Sequence, residues 1–161
     1  MKAEITWTGA VSFEARSSSG HTIAVDGPPE AGGQNGGARP MELVLMGVGA
    51  CSSYDVVEIL RKGRERVASC VARLEADRAE DYPRVFTRIR MHFEVSGQGL
   101  TEARVARAVA LSAEKYCSAS IMLQRGGVEI THSYAIVEVA PAEVVGDVEA
   151  AAGARIEGEA S

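Results

Sequence analysis

The chain has 161 residues, of which 46% are hydrophobic and 24% charged, and a formal net charge of −5. That length predicts one domain with one core. The acidic balance argues against nucleic acid as a partner, since binding a phosphate backbone requires clustered Lys and Arg. Three cysteines with no short-spaced pair argue against a secreted disulfide framework. With no export signal at the N-terminus, we expect a cytoplasmic protein.

The first part of the chain predicts an antiparallel meander. Apolar and polar residues alternate near residues 5–7, 11–15 and 21–26, with turn residues between these runs, which is typical of short strands. Segment 27–38 is dense in Gly and Pro and has no periodicity, so it is predicted to be a loop. Because no Gly-Lys-Ser/Thr follows, it does not predict nucleotide binding.

A central helix is predicted over residues 40–62. Pro40 suits the first helical position, and Glu42 lies where a helix N-terminus favours negative charge. Residues 43–50 are apolar on every side, a pattern typical of a helix that is enclosed all round. We therefore expect this helix to be buried.

Two further features of this helix lead to expectations. Gly47 and Gly49 each cost up to about 1 kcal/mol in a helix interior, which predicts the close approach of another backbone. Asp55 and Glu58 interrupt the apolar run before the roughly 20 residues that a bilayer requires, so we expect no membrane span. Cys51 lies about three turns into the helix.

The second half of the chain predicts two more strands, a second helix and a last strand. Residues 67–77 and 85–95 alternate between apolar and polar, and Cys70 fits a small core residue. A helix is predicted to follow Thr101, and a last strand covers residues 128–139. Because meanders rather than βαβ crossovers separate the helices, the pattern predicts an α+β fold with antiparallel sheets.

The end of the chain changes character. Residues 141–161 are rich in Ala, Gly and acidic residues and contain no aromatic residue, a composition that favours a loose tail. We therefore expect residues 1–140 to form the domain and assign no activity to the tail.

Two cysteines are candidates for redox chemistry. Cys51 and Cys117 each lie on a helix that the pattern sends inward, and packing of these helices brings the thiols within reach of a disulfide. A reactive thiolate requires a nearby cation, and Arg39 is the nearest in sequence, with Lys115 a second candidate. Asp55, one turn beyond Cys51, opposes a thiolate there. The alternative is that both thiols are core residues, as is common for cysteine.

Metal binding is the competing chemistry. Cys51, Cys117, His92 and His132 are ligand types, but no pair has the short spacing of zinc sites. The spacing therefore predicts no metal site.

Three segments resemble the OsmC/Ohr superfamily. They are RPMELVLMGVGACSSYDVV at 39–57, FTRIRMHFEVSG at 86–97 and LSAEKYCSAS at 111–120. The likeness extends to about residue 140 and is nearest to the poorly characterised OsmC-like branch. It implies an intertwined homodimer in which antiparallel sheets wrap two long central helices, with two active sites at the subunit interface.

The resemblance also implies roles for individual residues. Cys51 corresponds to the peroxidatic thiol, which forms a sulfenic acid, and Cys117 to the resolving thiol, which converts it to a disulfide. Glu42 stands one position beyond the family glutamate. The family arginine has no match in the upstream loop, and Arg39 or Arg16 is the candidate substitute.

Two functions follow from the resemblance and the composition. The first is a cysteine-based peroxidase that reduces small organic hydroperoxides in oxidative or osmotic stress, with no bound cofactor and an external lipoyl-type dithiol protein as reductant. The second is non-enzymatic binding of a lipid or acyl ligand in an apolar pocket at the dimer interface. A purely structural role is a third possibility.

Overall fold

The computed structural model describes residues 1–137, which form two three-stranded sheets and three helices. The predicted tail at 141–161 lies outside the described residues. The N-terminal sheet consists of β1 Ala3–Gly9, β2 Ser12–Ser17 and β3 Thr22–Val25. The C-terminal sheet consists of β4 Arg66–Arg78, β5 Phe86–Gln98 and β6 Glu129–Ile136. The helices are α1 Pro40–Lys62, α2 Glu102–Leu111 and α3 Ser118–Arg125. The α+β class is confirmed.

The N-terminal sheet is the predicted antiparallel meander. Strand β2 pairs with both β1 and β3, and Trp7 lies opposite Phe13 while Ala15 lies opposite Ile23. Because side chains alternate along a strand, these residues and Ile5 share one face. That face is apolar yet exposed, with Ile5 61% and Trp7 66% accessible.

The loop at 27–38 is organised around the carboxylate of Asp26. This residue is buried, and its oxygens accept hydrogen bonds from the backbone N–H groups of Gly27, Gln34 and Gly36 and from the Ser12 hydroxyl. These bonds lower the pKa of Asp26 to about 2. These three loop N–H groups therefore bind an internal carboxylate, leaving none of them to bind a phosphate.

Helix α1 begins and ends as predicted. Pro40 is its first residue, and the Glu42 carboxylate accepts a hydrogen bond of 2.9 Å from the backbone N–H of Arg39, so it caps an otherwise unpaired donor. The helix ends at Lys62, and Gly63 follows.

The prediction that α1 is enclosed all round is wrong for the single chain. Its buried residues are Val48, Gly49, Ser52, Val56 and Leu60, which form one stripe facing the C-terminal sheet and α2. The opposite stripe is accessible; its large apolar members are Val44, Met46 and Tyr54. The uninterrupted apolar run therefore places apolar side chains on both sides of α1, and the single chain buries only one of these sides.

The glycine prediction for α1 also needs correction. A Cβ at Gly49 would lie 2.8 Å from the Leu74 side chain, whereas one at Gly47 would meet nothing within 4 Å. The close approach at Gly49 is therefore by a side chain of β4.

Helix α1 is long and apolar enough to cross a membrane by length and composition, with a mean hydropathy of 1.6, but its packing against β4 is equally typical of a core helix.

The C-terminal sheet is mixed, which corrects the expectation of antiparallel sheets without crossovers. Strand β4 pairs with β5 antiparallel, but β6 pairs with β5 parallel. A parallel neighbour requires a crossover connection, and α2 and α3 supply it. The inward face of β5 carries Ile89, Met91, Phe93 and Val95, all nearly inaccessible, and packs in the core with α1 and α2.

The second central helix is broken, which corrects the expectation of two long helices. After α2 ends at Leu111, residues 112–116 form a wide π-type turn, and Cys117 is extended with φ −69° and ψ 97°. Helix α3 starts directly afterwards, with Cys117 as its N-cap. The break places the sulfur of Cys117 at the N-terminus of α3 instead of on a continuous helix face.

Candidate active site

The structure brings Cys51 and Cys117 together. Cys51 lies midway along α1 and Cys117 precedes α3, and their sulfur atoms lie within 4.8 Å of each other and of a carboxylate oxygen of Asp55. Both cysteines are free thiols. The two predicted redox residues therefore form one site, to which Asp55 is added.

Cys117 lies in a buried polar pocket. Its sulfur accepts a hydrogen bond of 3.0 Å from the Ser52 hydroxyl and one of 3.4 Å from the backbone N–H of Ser120. The hydroxyls of Ser52 and Ser120 are 3.1 Å apart, and Ser112 bonds to the Ser52 carbonyl. This serine cluster, Ser52, Ser112 and Ser120, is fully buried and satisfies its own polar groups.

The serine cluster favours ionisation of Cys117. Burial by itself raises the pKa of this thiol, but hydrogen bonds from Ser120, Ser52 and the Cys51 thiol outweigh burial, and the net pKa is lowered. The N-cap position contributes in the same direction, because free N–H groups at a helix N-terminus stabilise negative charge. Cys117 is thus the more acidic thiol of the pair.

Cys51 has the opposite character. Its pKa is raised, first by burial and then by the neighbouring Cys117 and Asp55, while the Ala119 backbone N–H at the start of α3 opposes the change. Cys51 is only partly buried, whereas Cys117 is 0% accessible. On raising the pH, the Cys117 thiol should therefore lose its proton before the Cys51 thiol does.

Asp55 is the residue whose role the sequence analysis missed. It lies one helical turn beyond Cys51, so the two side chains share a face, and its Oδ2 atom is buried without a hydrogen-bond partner. Burial raises the pKa of this carboxyl, and Lys62 lowers it in part. The spacing of four residues was the available signal, but it was interpreted only as a charge opposing the thiolate.

Within this chain, the predicted site residues Arg39 and Glu42 lie far from the thiols. Arg39 is twelve residues before Cys51, which corresponds to about 18 Å along a helix, and Glu42 is about 14 Å away along the same axis. Glu42 is occupied in capping Arg39. Lys115, the other candidate cation, lies 5.5 Å from the Tyr116 ring centroid.

The remaining cysteine and two of the histidines are engaged elsewhere in the described residues. Cys70 packs against the core on β4, and burial raises its pKa. His92 lies 2.9 Å from the Ser133 hydroxyl. His132 stacks on Phe93, with ring centroids 6.4 Å apart, and burial lowers its pKa. None of them belongs to the Cys51, Asp55 and Cys117 cluster.

A surface cavity of about 310 Å³ reaches Asp55. Its apolar wall is formed by Ile59 and Leu111 with the rings of Tyr54 and Tyr116, and Glu58 and Lys62 complete its rim. Neither Cys51 nor Cys117 is among the residues that line this cavity, so Asp55 is the member of the site that it reaches.

The family model described as OsmC-like protein matches residues 33–133. The chain is 49% identical over 140 residues to Protein YhfA of Escherichia coli strain K12, which covers 85% of this chain and 98% of that protein. The chain therefore belongs to the OsmC-like family.

Solved structures share this fold. A hypothetical protein from Aquifex aeolicus VF5 is 29% identical with a TM-score of 0.74, over 86% of this chain and 97% of that one. An organic hydroperoxide resistance protein from Elizabethkingia anophelis is 18% identical with a TM-score of 0.64, over 85% of this chain and 97% of that one. At that lower identity the likeness concerns the fold alone.

Proposed function

We propose that this protein reduces organic hydroperoxides through Cys51 and Cys117, in defence against oxidative or osmotic stress. The observation that carries the proposal is the approach of the two sulfur atoms to within 4.8 Å, one partly accessible and the other buried with a lowered pKa. Forming a disulfide from this arrangement requires the sulfurs to close by at most about 2.7 Å. The fold shared with an organic hydroperoxide resistance protein is compatible with this chemistry, and the argument for it comes from the two thiols.

Accessibility assigns the roles of the two thiols. A hydroperoxide can reach only Cys51, because Cys117 is wholly buried. The Cys51 thiolate attacks the O–O bond, gives a sulfenic acid and releases the alcohol; the Cys117 thiolate then attacks that sulfur, forms the disulfide and releases water. In sum, two thiols and one hydroperoxide give one disulfide, one alcohol and one water. An external dithiol, for which we propose a lipoyl-type protein, reduces the disulfide.

The first step requires Cys51 to lose its proton. Its pKa is raised in the single chain, and Arg39 lies about 18 Å away along α1. We therefore propose that the activating cation, Arg39 or Arg16, comes from a second copy of the chain in a homodimer.

Two exposed apolar surfaces support such a dimer. One is the face of the N-terminal sheet that carries Ile5, Trp7 and Ile23, and the other is the stripe of α1 that carries Met46 and Tyr54. Large exposed apolar patches mark interaction sites. Burying the α1 stripe would also make that helix enclosed on all sides, as its sequence suggests.

The cavity beside Asp55 is the proposed binding site of the organic group. Its apolar wall of Tyr54, Ile59, Leu111 and Tyr116 suits a hydrocarbon tail, and its volume of about 310 Å³ is at the low end for ligand pockets. We therefore propose a small hydroperoxide as substrate. The alternative of a bound lipid or acyl group stays a prediction.

The test measures turnover of cumene hydroperoxide and t-butyl hydroperoxide with dihydrolipoamide as reductant. We expect Cys51→Ser to abolish turnover and Cys117→Ser to stop it after one sulfenic acid per chain. Cys70→Ala, which alters the third thiol, is the matched control and should retain activity. Equal rates in Cys51→Ser and the unaltered protein would refute the proposal, and a lipid found in the purified protein together with unreactive thiols would favour the alternative.

A further inference from the structure

Cys51, Asp55 and Cys117 form a cluster of three acidic groups. Their ligand atoms lie within 4.8 Å of one another, and each can carry a negative charge. The Oδ2 atom of Asp55 is buried without a partner among the described residues. Lys62, at the end of α1 and seven positions beyond Asp55, is largely exposed and paired with Glu58.

We propose that the reduced protein binds one Zn²⁺ ion, or a similar thiolate-preferring divalent cation, at Cys51, Asp55 and Cys117. A divalent cation supplies the positive charge that the cluster lacks, and it displaces the two thiol protons. Two thiolates and one carboxylate favour zinc or a softer ion over magnesium or calcium, which prefer oxygen ligands. Three protein ligands leave the fourth tetrahedral position open to water or a small ligand.

Binding of the ion requires the three ligand atoms to move slightly closer together. With Zn–S distances of about 2.3 Å and Zn–O distances of about 2.1 Å, tetrahedral ligand atoms lie about 3.6 to 3.8 Å apart. The observed separations are at most 4.8 Å, so each pair of atoms has to close by no more than about 1.2 Å. Rotation of the Cys51 and Asp55 side chains, which lie one turn apart on α1, is sufficient for such a movement.

The surroundings of Cys117 are compatible with a metal-bound thiolate. Outer-shell donors orient ligands and are part of a metal site, and the sulfur of Cys117 already accepts hydrogen bonds from Ser52 and from the Ser120 backbone. The ion would enter from the side of Cys51 and Asp55, where the site is partly accessible. Ser52 and Ser120 can keep their bonds to the sulfur while it binds the ion.

Metal binding and disulfide formation exclude each other at this site, since both use the same two thiolates. Zinc should therefore protect the reduced site from hydroperoxide, and oxidation should release zinc. The inference uses the two thiols of the proposed peroxidase, but it does not require that turnover occurs.

The experiment titrates the full chain, reduced and freed of reductant under anaerobic conditions, with Cd²⁺, and follows the ultraviolet thiolate-to-cadmium charge-transfer band. We expect one Cd²⁺ per chain, competition by Zn²⁺, and no band in the same protein oxidised to the disulfide. The oxidised protein is a folded reference that needs no mutation. Asp55→Asn should weaken binding roughly tenfold or more, since even the loss of an outer-shell partner costs that much, and Cys70→Ala should bind as the unaltered protein does.

The outcomes separate this inference from the proposed function. Absence of the band in a reduced protein that turns over hydroperoxide would overturn the metal site and leave the peroxidase standing. A stoichiometric band that needs Cys51, Asp55 and Cys117, in a protein without turnover, would support the metal site and overturn the peroxidase. A band that persists unchanged in Asp55→Asn, or one that requires Cys70, would also overturn the inference.

Discussion

The Ser52 hydroxyl is positioned to control the ionisation of Cys117, and Ser52→Ala tests this directly. The hydroxyl donates to the sulfur at 3.0 Å in a fully buried site. A hydrogen bond to a charged group contributes about 1.5 to 3 kcal/mol. Since 1.36 kcal/mol corresponds to a factor of ten, the variant should lower the acid dissociation constant of the Cys117 thiol by a factor between about 10 and about 160.

The same substitution leaves the rest of the site intact. Ser112 bonds to the backbone carbonyl of residue 52, which alanine keeps, and besides the Cys117 sulfur only the Ser120 hydroxyl loses a side-chain partner. The resulting loss of folding stability should be about 1 to 3 kcal/mol, and the variant is expected to fold. The effect on ionisation can then be measured separately from stability.

The assay follows thiolate absorbance against pH in a protein that carries Cys51→Ser and Cys70→Ala, so that Cys117 is its remaining thiol. Absorbance does not require a reagent to reach the buried sulfur. Ser52→Ala should move the ionisation midpoint to higher pH, and the neighbouring Ser53→Ala should leave it in place. An unchanged or lower midpoint in Ser52→Ala would show that the hydrogen bond does not favour the thiolate.

Three further predictions concern the fold and the assembly. Asp26→Asn should destabilise the protein at neutral pH. Because the pKa of Asp26 is lowered from 3.8 to about 2, the stabilising effect of the carboxylate should be lost as the pH falls through that range. Urea unfolding of both proteins across this range measures the effect, and a stability difference that does not depend on pH would contradict the prediction. Trp7→Asp should convert the proposed dimer to monomer in sedimentation equilibrium, whereas Thr6→Asp, on the opposite face of the N-terminal sheet, should not. A dimer in both variants would exclude the face that carries Trp7 as the interface. Phe93→Ala, at a fully buried position, should lower the free energy of unfolding in urea by about 3 to 5 kcal/mol, compared with less than about 0.5 kcal/mol for Thr87→Ala at an exposed position. Similar values for both variants would place Phe93 outside the core.

Local patterns predicted much of the fold. The meander of β1 to β3 followed from period-two alternation, and the start of α1 followed from Pro40 and Glu42, because capping and periodicity are properties of neighbouring residues. The long alternation in β5 gave its buried face in the same way. The parallel pairing of β6 was missed, because strand order depends on how α2 and α3 return the chain to the sheet.

The candidate site was predicted only in part, for a similar reason. Cys51 and Cys117 were selected as a pair, but Asp55 was not recognised as the third member and the serine cluster was not foreseen. The rule against metal binding depends on ligands close together in sequence, whereas the proposed ligands come from α1 and from the start of α3. Whether Arg39 and Glu42 act at the thiols depends on the assembly, which the single chain does not contain.

The sequence by itself determined which segments form strands and helices, that α1 has apolar residues all round, and which thiols belong to the family motifs. The tertiary structure decided that the second helix breaks at Cys117 and that Ser52 meets a sulfur 65 positions further along the chain. It also decided that β6 lies parallel to β5. The physical reason is that hydrogen bonds within a helix or turn join near neighbours, whereas the ionisation of Cys117 depends on groups that only the packing of α1 against α3 brings into contact.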